Sequence, residues 1–161
     1  MDSSSNGQPS IVLVDDEDMV ITSIRAFLRL ETDYEVRGFT IPEEAVKFLS
    51  SNPVNVVISD YLMPKMNGIQ LLAKAKELQP EAARVLLTGH ADKQSAIQAI
   101  NDVGLYQYLE KPWDNSQLLL VINSAIERTN LLRSLNMKIS ELDAAHNTLK
   151  EAQRRLIRAF L

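Results

Sequence analysis

Apolar positions along the chain alternate between two patterns, short continuous runs and helical spacing. Ile11-Val12-Leu13-Val14 is an apolar run closed by Asp15-Asp16, the pattern of a strand buried on both faces. Residues 18–30 then place Met19, Ile21, Ile24, Phe27 and Leu28 at helical spacing. Residues 34–39 predict a second, more peripheral strand. Thr40-Ile41-Pro42-Glu43 predicts a capping box with proline in the first helical turn, and Ala45, Val46 and Leu49 mark the helix behind it. Residues 54–59 predict another buried strand, which delivers Asp60. Pro64 and Asn67-Gly68 mark a loop, and residues 69–78 a helix. Residues 84–87 predict a strand ending at Thr88-Gly89. Residues 92–101 follow as a helix with Asp92 as N-cap. Residues 105–109 predict a strand ending at Glu110-Lys111-Pro112. A last helix starts near Asp114 or Asn115 and meets no stop signal before residue 161.

Five strands alternating with helices predict an α/β fold, a doubly wound five-stranded parallel sheet with helices on both faces. In such sheets ligands bind outside the carboxyl ends of the strands. There the first strand brings Asp15 and Asp16, the third Asp60, the fourth Thr88 and the fifth Lys111. Three carboxylates, one hydroxyl and one ammonium converge on one edge. Clustered carboxylates repel and need a cation. Oxygen donors without His or Cys favour Mg²⁺, with Mn²⁺ as a substitute. A lysine neutralises a phosphoryl group as a point charge, and a threonine hydroxyl donates to its oxygens. A carboxylate held against Mg²⁺ can accept a phosphoryl group, since this transfer is mostly positioning and charge stabilisation.

Composition removes competing chemistry. The 161 residues contain no cysteine, which excludes disulfides, thiolate metal sites and cysteine nucleophiles. No apolar run approaches membrane-spanning length, and residues 1–9 lack the basic and apolar regions of a signal peptide. They read as a disordered lead-in to a cytoplasmic protein. The net charge of −4 is unevenly spread: residues 127–161 carry 7 basic and 4 acidic side chains, leaving 10 basic and 17 acidic ahead of them. An acidic first part argues against nucleic-acid contact there.

Asp15-Asp16, Asp60-Tyr-Leu-Met-Pro-Lys-Met-Asn-Gly68, Thr88-Gly89 and Lys111-Pro112 together resemble the signature of response-regulator receiver domains of two-component signalling. The likeness covers about residues 10–126 and implies the flavodoxin-like receiver fold. It implies that Asp60 is the phosphoacceptor, served by a sensor histidine kinase or a phosphotransfer protein. Asp16, Asp60 and the Leu62 backbone carbonyl would bind Mg²⁺ directly, and Asp15 mainly through water. Thr88 and Lys111 would hold the phosphoryl oxygens. Tyr108 stands where the family has an aromatic switch residue that turns inward as Thr88 moves. The Lys111–Pro112 bond would be cis. Leu62 and His90 occupy positions that tune dephosphorylation, and neither supplies a group to orient water. A long-lived phosphoryl state is therefore expected. The family acts as a switch, not as an enzyme of its own. Aspartyl-phosphate phosphohydrolases resemble this sheet but usually place a second Asp two residues after the nucleophile, where this chain has Leu62.

The last helix carries leucine every seven residues. With Leu135, Leu142, Leu149 and Leu156 at d, Leu132, Ile139, His146, Gln153 and Phe160 fall at a. This predicts a parallel coiled coil over residues 127–161 that makes a homodimer. His146 and Gln153 weaken the seam but favour a limited oligomer in fixed register. Lys138 at g can pair with Asp143 at e of a partner helix, which suits parallel chains. Leu118, Ile122, Ala125 and Ile126 suit packing on the receiver. A heptad that continues to Phe160-Leu161 predicts a fragment of a longer protein with an output domain of unspecified kind beyond it.

Overall fold

The computed structural model describes residues 7–160. Of the predicted lead-in, residues 1–6 lie outside the described residues, as does Leu161. The chain divides between Thr129 and Asn130 into two compact units.

The first unit is a five-stranded parallel sheet in the order β2-β1-β3-β4-β5, with β1 (Ser10–Val14), β2 (Glu35–Phe39), β3 (Val56–Asp60), β4 (Ala83–Thr88) and β5 (Gln107–Glu110). Every neighbouring pair is parallel. The predicted doubly wound sheet is therefore present. The central strands β1, β3 and β4 are buried at every position but Ser10 because helices cover both faces. Their alternate residues enter different cores. Ile11, Leu13, Val56, Ile58, Val85 and Leu87 pack with α1 (Asp18–Glu31) and the first turns of α5 (Asn115–Phe160). Val12, Val14, Val57 and Leu86 pack with α2 (Pro42–Leu49), α3 (Gly68–Leu78) and α4 (Lys93–Asp102). The peripheral strand predicted over residues 34–39 is β2, an edge strand with more exposed positions.

Helix starts depart from expectation. At α2 the N-cap position is Ile41, no side chain caps the helix, and Pro42 takes the first turn. The predicted Thr40 capping box is thus absent, because the helix begins one residue later than that motif requires. Asp92 precedes α4 but makes no side-chain cap bond. It closes a short 3₁₀ turn, His90–Asp92, and its amide donates to the Gly89 carbonyl at 3.1 Å. The reciprocal capping box is instead at Asn67, where the sequence reads as loop. The Asn67 side chain accepts from the Gln70 amide, and Gln70 accepts from the Asn67 amide. Gly68 is then the first residue of α3.

Leu118, Val121, Ile122, Ala125, Ile126 and Thr129 form the buried stripe of α5. Within the second unit the helix exposes Leu135, Ile139, Leu142, Leu149, Leu156 and Phe160. His146 and Gln153 are exposed and Leu132 is half-buried.

Candidate functional site at the carboxyl edge of the sheet

Each strand delivers its functional group where its ladder ends. Asp15 directly follows β1, and its amide donates to the Phe39 carbonyl (3.1 Å), which continues the β1–β2 ladder by one residue. Asp60 is the last residue of β3 and Thr88 the last of β4. Lys111 directly follows β5, and its amide donates to the Thr88 carbonyl at 2.7 Å. The Lys111–Pro112 bond is cis.

These positions bring the predicted groups together. One carboxylate oxygen from each of Asp15, Asp16 and Asp60 lies within 4.8 Å of the others. Lys111 Nζ is 2.9 Å from Asp60 Oδ1. Asp15 and Thr88 are completely buried, Asp60 nearly so, and Asp16 is exposed.

Burial sets the electrostatics. The Asp15 carboxyl is pushed up from 3.8 to about 6, first by desolvation, while the Glu17 amide that donates to it (2.9 Å) opposes the rise. The charges of Asp60 and Asp16 add to it and Lys111 subtracts. At Lys111, desolvation alone would lower the pKa. The hydrogen bond and charge of Asp60, with Asp15 and Glu17, outweigh it and hold the ammonium above its ordinary value.

Two buried oxygens here have no hydrogen-bond partner among the described residues, Asp15 Oδ2 and Thr88 Oγ1. Leaving such groups unsatisfied costs about 1–3 kcal/mol each. A hard cation beside Asp15 and an oxyanion beside Thr88 would satisfy both. The all-oxygen donor set fits Mg²⁺.

Some supporting residues escaped the sequence reading. Gly68 reads there only as a loop marker. A Cβ at this position would collide with the Asp60 backbone carbonyl and with Leu86. The Gly68 amide donates to the Tyr61 carbonyl (2.9 Å), so the helix start closes onto the chain directly after Asp60. Between them Lys65 adopts the left-handed φ of 69°. The Asn67 capping box was the available signal for this tight return.

Tyr108 lies opposite Leu86 in the β4–β5 register, two residues before the Thr88–Glu110 pair. Tyr108 and Leu86 both belong to the α3–α4 side of the core. Strand alternation therefore puts the Thr88 and Tyr108 side chains on the same face. Leu62 is 64% exposed, two residues beyond Asp60. The side chain of His90 lies outside the described residues. Trp113 is half-buried against the α1–α5 side of the core.

Residues 11–123 match the model of the response regulator receiver domain. The chain belongs to the response-regulator receiver family. This receiver is 31% identical over 149 residues to the hydrogenase transcriptional regulatory protein HoxA of Cupriavidus necator, covering 91% of the present chain and 30% of HoxA. It is 35% identical over 124 residues to the C4-dicarboxylate transport transcriptional regulatory protein DctD of Rhizobium meliloti, covering 77% and 26%. The chain thus spans less than a third of these curated relatives. Among solved structures it resembles a response regulator receiver domain protein from Clostridium thermocellum, with a TM-score of 0.72 and 35% identity over 77% of this chain and 98% of that one. It also resembles a structure described as adenylate cyclase from Rhodopirellula baltica, with a TM-score of 0.79 and 28% identity over 83% and 98%. Receiver domains act as phospho-switches, interact with histidine kinases or phosphotransfer proteins, and bind Mg²⁺ at an acidic pocket. Asp15, Asp16 and Asp60 form an acidic cluster in this receiver. Among the described residues no helix is long and apolar enough to cross a membrane.

Proposed function

We propose that this receiver accepts a phosphoryl group on Asp60 from a histidine kinase or phosphotransfer protein, in the cytoplasm. The observation that carries the reading is the placement of Lys111 Nζ 2.9 Å from Asp60 Oδ1, at the rim of a three-carboxylate cluster. One Asp60 oxygen forms the new bond to phosphorus. The bond from phosphorus to the donor imidazole breaks, and the imidazole nitrogen keeps the electron pair. Asp15, Asp16 and Asp60 would hold Mg²⁺, together with the Leu62 carbonyl. When bound, the ion supplies charge neutralisation for the phosphoryl oxygens. Lys111 meets one of those oxygens with its ammonium. Thr88 donates the hydroxyl that has no partner among the described residues.

Drawing Thr88 towards the phosphoryl group frees space on the face it shares with Tyr108, so Tyr108 turns inward and alters the β4–β5–α5 surface. The heptad seam, Leu132 through Phe160, joins two copies as a parallel coiled coil that carries the signal to an output module. Domain limits of 10–126 for the receiver and 127–161 for the coil follow from this reading.

The test is incubation with acetyl phosphate and Mg²⁺, followed by intact mass, with solution molecular weight measured in parallel. A Mg²⁺-dependent gain of one phosphoryl group, lost in Asp60→Asn, is expected. A chain that stays unmodified would make the receiver a silent scaffold.

A further inference from the structure

Ser59 is a polar residue in a place that packing alone would give to an apolar one. It is completely buried in the central strand β3. It lies opposite Val14 of β1 and Leu86 of β4, and both belong to the core on the α2–α3–α4 side. Val57, two residues earlier, enters the same core, as strand alternation requires. A hydroxyl in such surroundings costs free energy unless it is hydrogen-bonded. Ser59 Oγ donates to the main-chain carbonyl of Asp60 at 2.9 Å.

That carbonyl stands where the strand ladder runs out. Asp60 lies opposite Leu87, and the Tyr61 amide donates to the Leu87 carbonyl at 2.9 Å. In a parallel pair a residue bonds to the two that flank the one opposite it, so the Asp60 carbonyl itself faces β1. The β1–β3 register ends at Val14 and Ser59. The Ser59 hydroxyl bonds the carbonyl just past that end. The same oxygen is closed in by Gly68 at the start of α3, where a Cβ would collide with it. One residue further on, the Gly68 amide donates to the Tyr61 carbonyl at 2.9 Å. The peptide that leaves Asp60 is thus held by the hydroxyl before it and the helix start beside it.

We propose that Ser59 is a positioning residue for the phosphoacceptor, an assignment that rests on the reading of Asp60 given above. Through the Asp60–Tyr61 peptide the hydroxyl sets the direction in which the Asp60 carboxylate leaves β3. It also sets the path of the chain towards the Leu62 carbonyl. Phosphoryl transfer depends on in-line approach, and a misplacement of about 1 Å costs up to roughly a hundredfold in rate. Lys111 and Thr88 stand at the ends of β5 and β4, so loss of the hydroxyl leaves them in place.

The test compares Ser59→Ala, which removes the donor and little volume, with Val57→Ala. The second change lies on the same strand and face and removes core volume without touching Asp60. For each full-length chain three quantities are measured: the urea midpoint, the Mg²⁺ concentration that half-saturates Trp113 fluorescence, and the rate of modification by acetyl phosphate at saturating Mg²⁺. Ser59→Ala should be modified about tenfold more slowly and need several times more Mg²⁺. Val57→Ala should lose at least as much stability yet keep both parent values. Ser59→Thr retains the hydroxyl and should restore most of the rate. A Ser59→Ala chain equal to the parent in rate and Mg²⁺ requirement would overturn the proposal. So would equal losses in Val57→Ala, which would reduce the effect to stability. A parent that acetyl phosphate leaves unmodified would remove the reading of Asp60 instead. The Mg²⁺ titration would then decide Ser59 alone, an unchanged requirement in Ser59→Ala counting against it.

Discussion

Lys111 Nζ rests 2.9 Å from Asp60 Oδ1, so the one ammonium of the site already neutralises the carboxylate that both a cation and a phosphoryl group would use. The contact has a cost, since burial of Lys111 disfavours its charge and Asp60 must compensate. Ammonium and divalent cation therefore compete for Asp60. Lys111→Met should tighten Mg²⁺ binding by a factor on the order of ten, from loss of a nearby positive charge. The same change should abolish the response to acetyl phosphate. Trp113 fluorescence during a Mg²⁺ titration measures the first effect, and unaltered affinity would show that the two cations do not compete.

Asp15 gives the site a pH dependence of known sign. Its pKa rises from 3.8 to about 6 on folding, chiefly through burial. Between those values the folded chain holds a proton that the unfolded chain releases. The stability of the metal-free protein should therefore fall as pH rises through this window and level off above it. Asp15→Asn removes the term and should stabilise the metal-free protein near pH 7 by about 1–3 kcal/mol. It should also lose the stabilisation that Mg²⁺ gives the parent protein. Urea unfolding in EDTA at both ends of the window checks this, and a variant less stable than the parent at neutral pH would overturn it.

How far the sequence reached depends on the scale of the interaction. The sheet was legible because burial on both faces forces continuous apolar runs in β1, β3 and β4. The site was legible because Asp15, Asp60, Thr88 and Lys111 each end or directly follow a strand. Helix starts were less so: a one-residue shift separates the Thr40 motif from the uncapped Ile41, and Asn67 looks alike as turn residue or cap. Contacts between distant elements left no local mark. The unpartnered Thr88 hydroxyl, the need for glycine at 68 and the seating of Arg25 against Gly38 depend on which atoms meet after folding.

Thr88 Oγ1 is buried without a partner among the described residues, so Thr88→Val should separate stability from signalling. Replacing an unsatisfied hydroxyl by a methyl of similar shape removes a desolvation penalty of roughly 1–3 kcal/mol. The variant should unfold at higher urea concentration than the parent. Its modification on Asp60 by acetyl phosphate should persist at reduced rate, while any accompanying change near Tyr108 disappears. A destabilised variant would mean that the hydroxyl has a partner in solution, such as a bound water.

The coil makes the last prediction. Leu142 and Leu149 are 70% and 58% exposed in the single chain, on a helix with no buried residue after Thr129 among the described residues. A helix with such a leucine seam is expected to bury it against a second copy. Each leucine kept from its partner forfeits roughly 1.5–3 kcal/mol. With two leucines substituted on each chain, Leu142→Lys with Leu149→Lys should raise the dimer dissociation constant by roughly four orders of magnitude or more. Light scattering should then find a dimer for the parent and a monomer for the variant. The Mg²⁺ response should survive, because the receiver core is complete at Thr129. His146→Leu should act in the opposite direction by replacing a polar a position with an apolar one. A monomeric parent, or a variant that still dimerises, would assign the exposed seam to a different partner or the dimer to a different surface.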